Sequence, residues 1–399
     1  MKKIVYLCVM MLFSMNMMAQ IDLNDRNWNT VLIENFDEGS LYWRWDTLRF
    51  LNMGDQRWKS FISGTITPKG EHEVYQYNNC QIDTTDNTMH LVAYYDSATI
   101  HQNHYHLPKY MLPEYGGNGY PPNDSLFFFS GALEYYKQQY VLNNNENERK
   151  FLYGYFEIKC KLPQHPGTFP AFWLQDSNKG TNDPHYEEID IFEHTRNLLH
   201  TYCNPAPPPI RDSSRVFTTG IYYNNTGNKA NHTDESFARN CPVVPHTTTD
   251  LSDWHVFSCE WQPGSVTWFF DGSVVNQSSP TDSIPHRPMY LKVNYAIDDF
   301  ACPLNKPIWF GSDTMVIDYI KVYQLDWDCS TDEEITCQDE LDNFNYSVKK
   351  TINISSTAEN VVIESGEKTT FRVSDTFEIT GPFQVNSGAE FTVIKQNCP

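Results

Sequence analysis

Glu188-Ile189-Asp190-Ile191-Phe192-Glu193 places three carboxylates in six residues and sets them against Ile and Phe. Side chains along a β-strand alternate between its two faces, so Ile189 and Ile191 share one face while Glu188 and Asp190 share the other. Plain alternation would leave Glu193 on the apolar side. One extra residue at Ile191-Phe192, a β-bulge, returns it to the side of Glu188 and Asp190, and bulges are common beside active sites. The spacing therefore predicts a bulged strand with three acids on one face. A calcium loop is the competing reading, but such loops favour Asp, Asn and Gly in irregular backbone over an Ile-rich strand.

Outward from this strand, short alternating runs recur at 88–93, 154–161, 265–271, 290–295 and 315–323, separated by Gly, Pro, Asn and Asp clusters. No segment holds a 3.6-residue period over three turns, so the chain reads as all-β, with the strand spacing of a sandwich. Long polar loops at 96–125 and 204–215 interrupt it, and loops of that length in a compact sandwich are usually functional. From residue 327 to 345 the chain turns acidic and loses periodicity, which reads as a linker. Beyond it, Thr351-Ile-Asn-Ile, Asn360-Val-Val-Ile, Thr370-Phe-Arg-Val, Thr376-Phe-Glu-Ile, Pro382-Phe-Gln-Val and Glu390-Phe-Thr-Val form a train of short β runs. They predict a small C-terminal β module at 346–399, poor in catalytic groups and suited to stabilisation or attachment.

The 399 residues include 50 Asp and Glu against 29 Lys and Arg, so the formal charge is 29 − 50 = −21. Nucleic acid and anionic membrane surfaces are excluded as partners, because phosphate binding needs clustered Lys and Arg and no such cluster occurs. The 10 Trp, 24 Tyr and 24 Phe exceed what packing alone requires, which makes sugars candidates for stacking. Met1-Lys2-Lys3, an apolar run at 4–13 and a small-residue exit ending at Ala19 read as a secretory signal at 1–19, too short to span a membrane. The expected compartment is secreted or periplasmic, where disulfides persist. Of the nine cysteines left after cleavage, Cys329 and Cys337, close together in a polar stretch, form the expected pair.

Three clustered carboxylates repel one another, so one is expected to hold a proton near neutrality, as a general acid must. Glycoside hydrolysis uses such a set: in a retaining mechanism one carboxylate attacks the anomeric carbon while another protonates the leaving oxygen. A straight strand would separate the Cα atoms of Glu188 and Glu193 by about 16 Å, so a bulge, a concave bend and converging side chains must close the gap.

Glu188-Ile-Asp-Ile-Phe-Glu193 resembles the signature of glycoside hydrolase family 16 in the bulge-containing form shared by laminarinases, agarases and carrageenases. The flanks are similar too, in family order: Tyr153-Gly-Tyr-Phe-Glu-Ile-Lys-Cys-Lys-Leu-Pro163 with Phe169-Pro-Ala-Phe-Trp-Leu174, Trp254-His-Val-Phe-Ser-Cys-Glu-Trp261, Val266-Thr-Trp-Phe-Phe-Asp-Gly272 and Val316-Ile-Asp-Tyr-Ile-Lys-Val-Tyr323. The resemblance covers about residues 28–325. It implies a curved jelly-roll sandwich with a cleft on its concave face, occupying 20–326.

Position by position, the resemblance makes Glu188 the nucleophile, Glu193 the acid/base and Asp190 the assisting carboxylate. Trp173 corresponds to a cleft-wall tryptophan, and Asn294 and Tyr223 to sugar-contacting positions. Glu34 and Asp318 correspond to a structural Ca2+ position, although Ile33-Glu-Asn-Phe-Asp-Glu-Gly39 departs from the usual pattern; no cofactor is required for the chemistry. Trp58, among polar residues of an N-terminal loop, is a further candidate sugar platform. His101, His104 and His106 lack a fourth ligand and read as loop residues. The implied activity is retaining, endo-acting hydrolysis of a polysaccharide, a β-1,3 or mixed-linkage glucan. A marine galactan as substrate, cut by an agarase, porphyranase or carrageenase, is the alternative, and a non-catalytic lectin-like sandwich is the rival of another class. A purely binding protein gains nothing from two poised Glu residues.

Overall fold

A computed structural model describes residues 27–37, 45–47, 73–75, 77–98, 127–135, 150–176, 186–194, 217–224, 236–240, 250–278, 284–297 and 307–399. The signal at 1–19, Trp58 and the three loop histidines lie outside these residues. The described part is all-β, a jelly-roll sandwich followed by a small β module. One sheet has ten strands, in the order β15 (Ser273–Gln277), β14 (Ser265–Phe270), β13 (His255–Gln262), β8 (Gly154–Lys161), β17 (Ser312–Leu325), β5 (Thr88–Tyr95), β6 (Phe128–Ser130) and β3 (Glu73–Tyr75). β1 (Trp28–Glu34) adds to β17 and β4 (Cys80–Asp83) to β5. The facing sheet has seven strands, in the order β12 (Ser236–Asn240), β11 (Thr218–Asn224), β10 (Tyr186–Glu193), β9 (Thr168–Gln175), β16 (Tyr290–Ile297), β7 (Ala132–Tyr135) and β2 (Trp45–Thr47).

Alternation explains the layering. Along β8, Phe156, Ile158 and Cys160 point into the space between the sheets, and they meet Phe172 and Leu174 of β9 and Leu291 and Val293 of β16 in one continuous core. The other face of the ten-stranded sheet, turned away from its partner, is also apolar at one end. Tyr155, Phe269, Tyr323 and Leu325 gather there with Trp28. Gly154 opens β8 at φ +141°, and a Cβ there would sit 2.6 Å from the carbonyl oxygen of Tyr323, so only glycine fits against β17.

The apolar end of the outer face is covered by the C-terminal module. Its main sheet is parallel, in the order β18 (Trp327–Ile335), β19 (Val348–Ile354), β21 (Lys368–Ile379) and β23 (Glu390–Lys395), beside a parallel pair of β20 (Val361–Ile363) and β22 (Phe383–Val385). Parallel stacking gives the module its own core of Ile335, Ile352, Ile354, Val361, Ile363, Phe371 and Val373. Val348 joins Trp28, Tyr155, Phe269 and Tyr323 in one cluster with the sandwich. Polar contacts fix the seam: Asn27 Nδ2 donates to the Thr370 carbonyl at 2.8 Å, and Asn397 Nδ2 to the Pro263 carbonyl at 3.3 Å. The Arg372 guanidinium lies 5.6 Å over the Trp28 ring.

Two expectations are corrected here. Residues 327–345 are not a linker: β18 fills 327–335 and a short helix, α1 (Gln338–Asp342), follows. The acidity that suggested solvated chain belongs to strand side chains with partners on β19 and just past it. Lys349 Nζ lies 2.8 Å from Asp328 and 3.3 Å from Glu333, Thr351 donates to Asp332 at 2.7 Å, and Ser355 donates to Glu334 at 2.5 Å. The hydrogen bond from Lys349 holds the Asp328 carboxyl below its ordinary range. Burial works against the Lys349 charge, yet its bonds to Asp328 and Glu333 outweigh it and hold its pKa above the usual value.

The disulfide also differs. Cys329 pairs with Cys398, Cα atoms 6.3 Å apart, and Cys337 is free. Cys329 lies inside β18, and six further residues at about 3.3 Å each carry the chain about 20 Å away by Ile335. Cys337 is thereby kept beyond the roughly 5.5 to 6 Å a bridge requires. The bond closes a loop of 69 residues, contributing about 4 kcal/mol by the chain-entropy estimate, and ties the last strand to the seam.

Ending the chain at Asp326 would uncover Trp28, Tyr155, Phe269 and Tyr323. Each large apolar side chain is worth about 1.5 to 3 kcal/mol when buried, and the sum rivals the whole stability of a domain, about 5 to 15 kcal/mol. The truncated protein is expected to unfold at least 10 °C lower in calorimetry than the full chain. Unchanged melting would show that the seam carries little energy.

Candidate active site

Strand β10 carries the bulge. Against β9, Glu188, Ile189 and Asp190 pair in steady register with Gln175, Leu174 and Trp173; Ile191 is then skipped, and Phe192 and Glu193 pair with Phe172 and Ala171. Against β11 the same extra residue falls between Asp190, opposite Gly220, and Glu193, opposite Thr218. Ile191 and Phe192 both enter the core, at 1% and 0% exposure. That double inward step is what returns Glu193 to the face of Glu188 and Asp190. The three carboxylates thus share the outer face of the seven-stranded sheet. Glu193 is half-buried and accepts a hydrogen bond from Thr218 Oγ1 at 3.3 Å; Glu188 and Asp190 are buried.

Register builds the neighbouring floor. Asp190, Trp173, Lys292 and Glu134 form one row across β10, β9, β16 and β7, and Glu193, Ala171, Asn294 and Ala132 form the next. Trp173 Nε1 donates to Asn294 Oδ1 at 2.8 Å, and Asn294 Nδ2 donates to the Tyr75 hydroxyl at 3.1 Å. Trp173 and Asn294 therefore sit together in the rows of Asp190 and Glu193 as buried floor groups, at 3% and 7% exposure.

Lys292 was not anticipated. Its ammonium is fully buried, 2.5 Å from Gln175 Oε1, 3.4 Å from Glu134 Oε2 and 4.9 Å over the Trp173 ring. The signal was present: Lys292 stands two residues before Asn294, so alternation puts both on one face. Glu187 was also missed. It is buried at the other face of β10, accepts the backbone N–H groups of His286 and Arg287 at 2.8 Å each, and lies 3.0 Å from His286 Nδ1. It organises a loop, not the cleft.

Across β10 and β11, Tyr223 pairs with Glu187 and Tyr222 with Glu188. Glu34 and Asp318, the positions expected to hold Ca2+, are both engaged by other groups of the protein. Glu34 Oε1 accepts the Phe36 N–H at 2.9 Å, while Asp318 Oδ2 lies 2.6 Å from Lys159 Nζ. Calcium takes six to eight oxygen ligands, and among the described residues neither acid belongs to a group of three potential metal ligands. The one such group is Asp83, Asp86 and His90, on the β4–β5 hairpin.

Residues 127–306, which contain the bulged strand and its floor, match the family described as Glycosyl hydrolases family 16. Over these residues the chain is similar to that family. Among relatives, the endo-1,3-1,4-beta-glycanase EglC of Rhizobium meliloti (strain 1021) is 32% identical over 176 residues, covering 44% of this chain and 31% of that protein. The beta-glucanase of Rhodothermus marinus is 25% identical, covering 43% and 57%. The chain therefore spans about a third to just over half of these relatives' lengths. Among solved structures, the catalytic domain of an endo-1,3-beta-glucanase (laminarinase) from Thermotoga petrophila RKU-1 is similar at a TM-score of 0.48 and 20% identity, covering 75% of this chain and 98% of that one.

Removing one partner of a buried ion pair typically costs about 3 to 5 kcal/mol, while replacing both by apolar groups of similar volume is often neutral. Lys292→Met alone is expected to destabilise the sandwich by about 3 kcal/mol in denaturant titration, and Lys292→Met with Glu134→Leu to recover most of that loss. Equal destabilisation by the single and double variants would show that the pair is not a coupled unit.

Proposed function

We propose that the protein is a secreted or periplasmic, retaining endo-β-glucanase acting on a β-1,3 or mixed-linkage glucan. The observation that carries the chemistry is the one-residue bulge, which sets Glu188, Asp190 and Glu193 on one face above a floor of Trp173 and Asn294. In this reading Glu188 attacks the anomeric carbon as the glycosidic bond breaks, and the Glu193 carboxyl passes its proton to the departing oxygen. The resulting glycosyl ester on Glu188 is then opened by water, whose proton returns to Glu193. Asp190, between them, orients and hydrogen-bonds its neighbours. The half-buried setting of Glu193 beside Thr218 leaves it accessible to both leaving group and water.

The printed names of the relatives, an endo-1,3-1,4-beta-glycanase and a beta-glucanase among them, support a neutral glucan as substrate. The charged start, apolar run and small-residue exit in the sequence of 1–19 support export, and among the described residues no helix is long and apolar enough to cross a membrane. Nothing in the reaction calls for a metal, since both the nucleophile and the proton carrier are carboxyl groups of the chain.

Digests of laminarin, mixed-linkage glucan, agarose, porphyran and carrageenan test the substrate; cleavage confined to the galactans would overturn the glucan assignment. Glu188→Gln is expected to lower turnover by several orders of magnitude, and Glu193→Gln by about 10² to 10⁴-fold on an unactivated glycan, with melting temperatures near wild type. NMR of the first reducing ends released should show the β anomer. Early α product would exclude double displacement.

A further inference from the structure

The bulge reaches across the core to two side chains that no catalytic step uses. Trp268 of β14, 1% exposed, donates its indole N–H to the backbone carbonyl of Asp190 at 2.8 Å. Asn276 of β15, the cross-strand partner of Trp268, donates from Nδ2 to Thr219 Oγ1 at 2.9 Å. Thr219 lies between the β11 residues that pair with Asp190 and Glu193, so it stands opposite the extra residue of β10. The ten-stranded sheet is itself irregular at this point, because Val275 is skipped between the pairs Trp268–Asn276 and Phe269–Val274.

We propose that Trp268 and Asn276 are positioning residues that clamp the bulge of β10 from the opposite sheet and thereby set where Glu193 stands relative to Glu188. A bulge breaks the ladder, and backbone groups freed in a dry core must find other partners. Thr218 Oγ1 donates to the Glu193 carbonyl and carboxylate at 3.4 and 3.3 Å, but the side chains of Ile191 and Phe192 enter the core as apolar groups, and packing alone tolerates a slip that a hydrogen bond does not. The indole supplies direction from outside the strand. It holds the carbonyl at the last residue in regular register, and Asn276 holds β11 directly opposite the extra residue. The two anchors fix both strands at the one-residue offset. Glu188 lies before the offset, in register with Gln175 and Tyr222, and keeps its place whether or not the clamp is present. Glu193 lies after it and depends on it.

This assignment rests on the roles given above to Glu188 and Glu193, and it makes an asymmetric prediction. In Trp268→Phe, which keeps an aromatic ring and removes the N–H, the acid/base is misplaced while the nucleophile is not. A misplacement of about 1 Å can cost about 10²-fold, so kcat/KM on an unactivated glucan oligosaccharide is expected to fall about 10- to 100-fold. On a dinitrophenyl β-glycoside of the same sugar, whose leaving group needs no proton, kcat/KM is expected to fall less than about threefold. Trp309→Phe is the control. Trp309 is also buried and also donates to a backbone carbonyl, that of Pro166 at 3.0 Å, but far from the bulge in register. It should lower both rates equally or not at all.

Asn276→Ala, nearer the surface, should shift the two rates in the same sense as Trp268→Phe and serves if the latter fails to fold. Equal losses on the two substrates, or a differential no larger in Trp268→Phe or Asn276→Ala than in Trp309→Phe, would overturn the proposal. Hydrogen exchange provides a readout independent of turnover: amides of 189–193 should exchange faster in Trp268→Phe than in wild type or Trp309→Phe, and unchanged exchange would likewise overturn it. A wild-type protein that cleaves no glycan would remove the functional assignment while leaving the exchange comparison as the test of the clamp.

Discussion

One residue of excess length in β10 governs the rest of the site. With a period of two, three acids at 188, 190 and 193 cannot share a face in a regular strand. Ile191 and Phe192 both turn inward, and the core accepts both because Phe172, Phe217 and Phe257 leave an aromatic slot: the Phe192 and Phe257 ring centroids are 4.5 Å apart, and those of Phe217 and Phe257 5.1 Å. The apolar core thus does more than hold two sheets together. By taking two consecutive side chains it forces the next one, Glu193, back to the polar face.

Concentrating carboxylates on one sheet face raises their mutual repulsion, and the floor beside them answers it. Lys292 sits in the row of Asp190, separated by Trp173, and brings a positive charge into a face otherwise lined by Glu134, Asp190 and Glu188. Its ammonium faces the Trp173 ring, so the indole is held from one side by a cation and at its N–H by Asn294. In water a lysine would gain little from such partners. In a dry floor the same contacts restrict ring, amide and ammonium to one arrangement, at a desolvation cost that pairing with Glu134 offsets only in part.

The strands, the bulge and the three acids were legible in the sequence because each depends on local alternation between neighbours a few residues apart. Lys292 was legible by the same rule, standing two residues before Asn294 in β16. The clamp was not legible: Trp268 and Asp190 are 78 positions apart, and an indole N–H reaching a carbonyl leaves no periodic trace. The acidic stretch at 327–345 misled for a different reason. In a parallel stack the strand's charges are answered by Lys349 and Lys350 on the next coil, so acidity that would dissolve an isolated segment becomes a ladder of pairs once the following strand is in place.

The placement of that module separates two demands on one sandwich. The ten-stranded sheet is long and carries apolar side chains on both faces at its β1, β8 and β17 end, a surface that in water would invite association. Covering it from the outside with a parallel stack, tied back through Cys398, leaves the seven-stranded sheet free to keep its outer face open. Each strand of that second sheet can then spend one face on the core and the other on polar chemistry. The buried acids lie on the opposite side of the sandwich from the module, and beside the bulge the two sheets are joined by directional bonds from Trp268 to the Asp190 carbonyl and from Asn276 to Thr219.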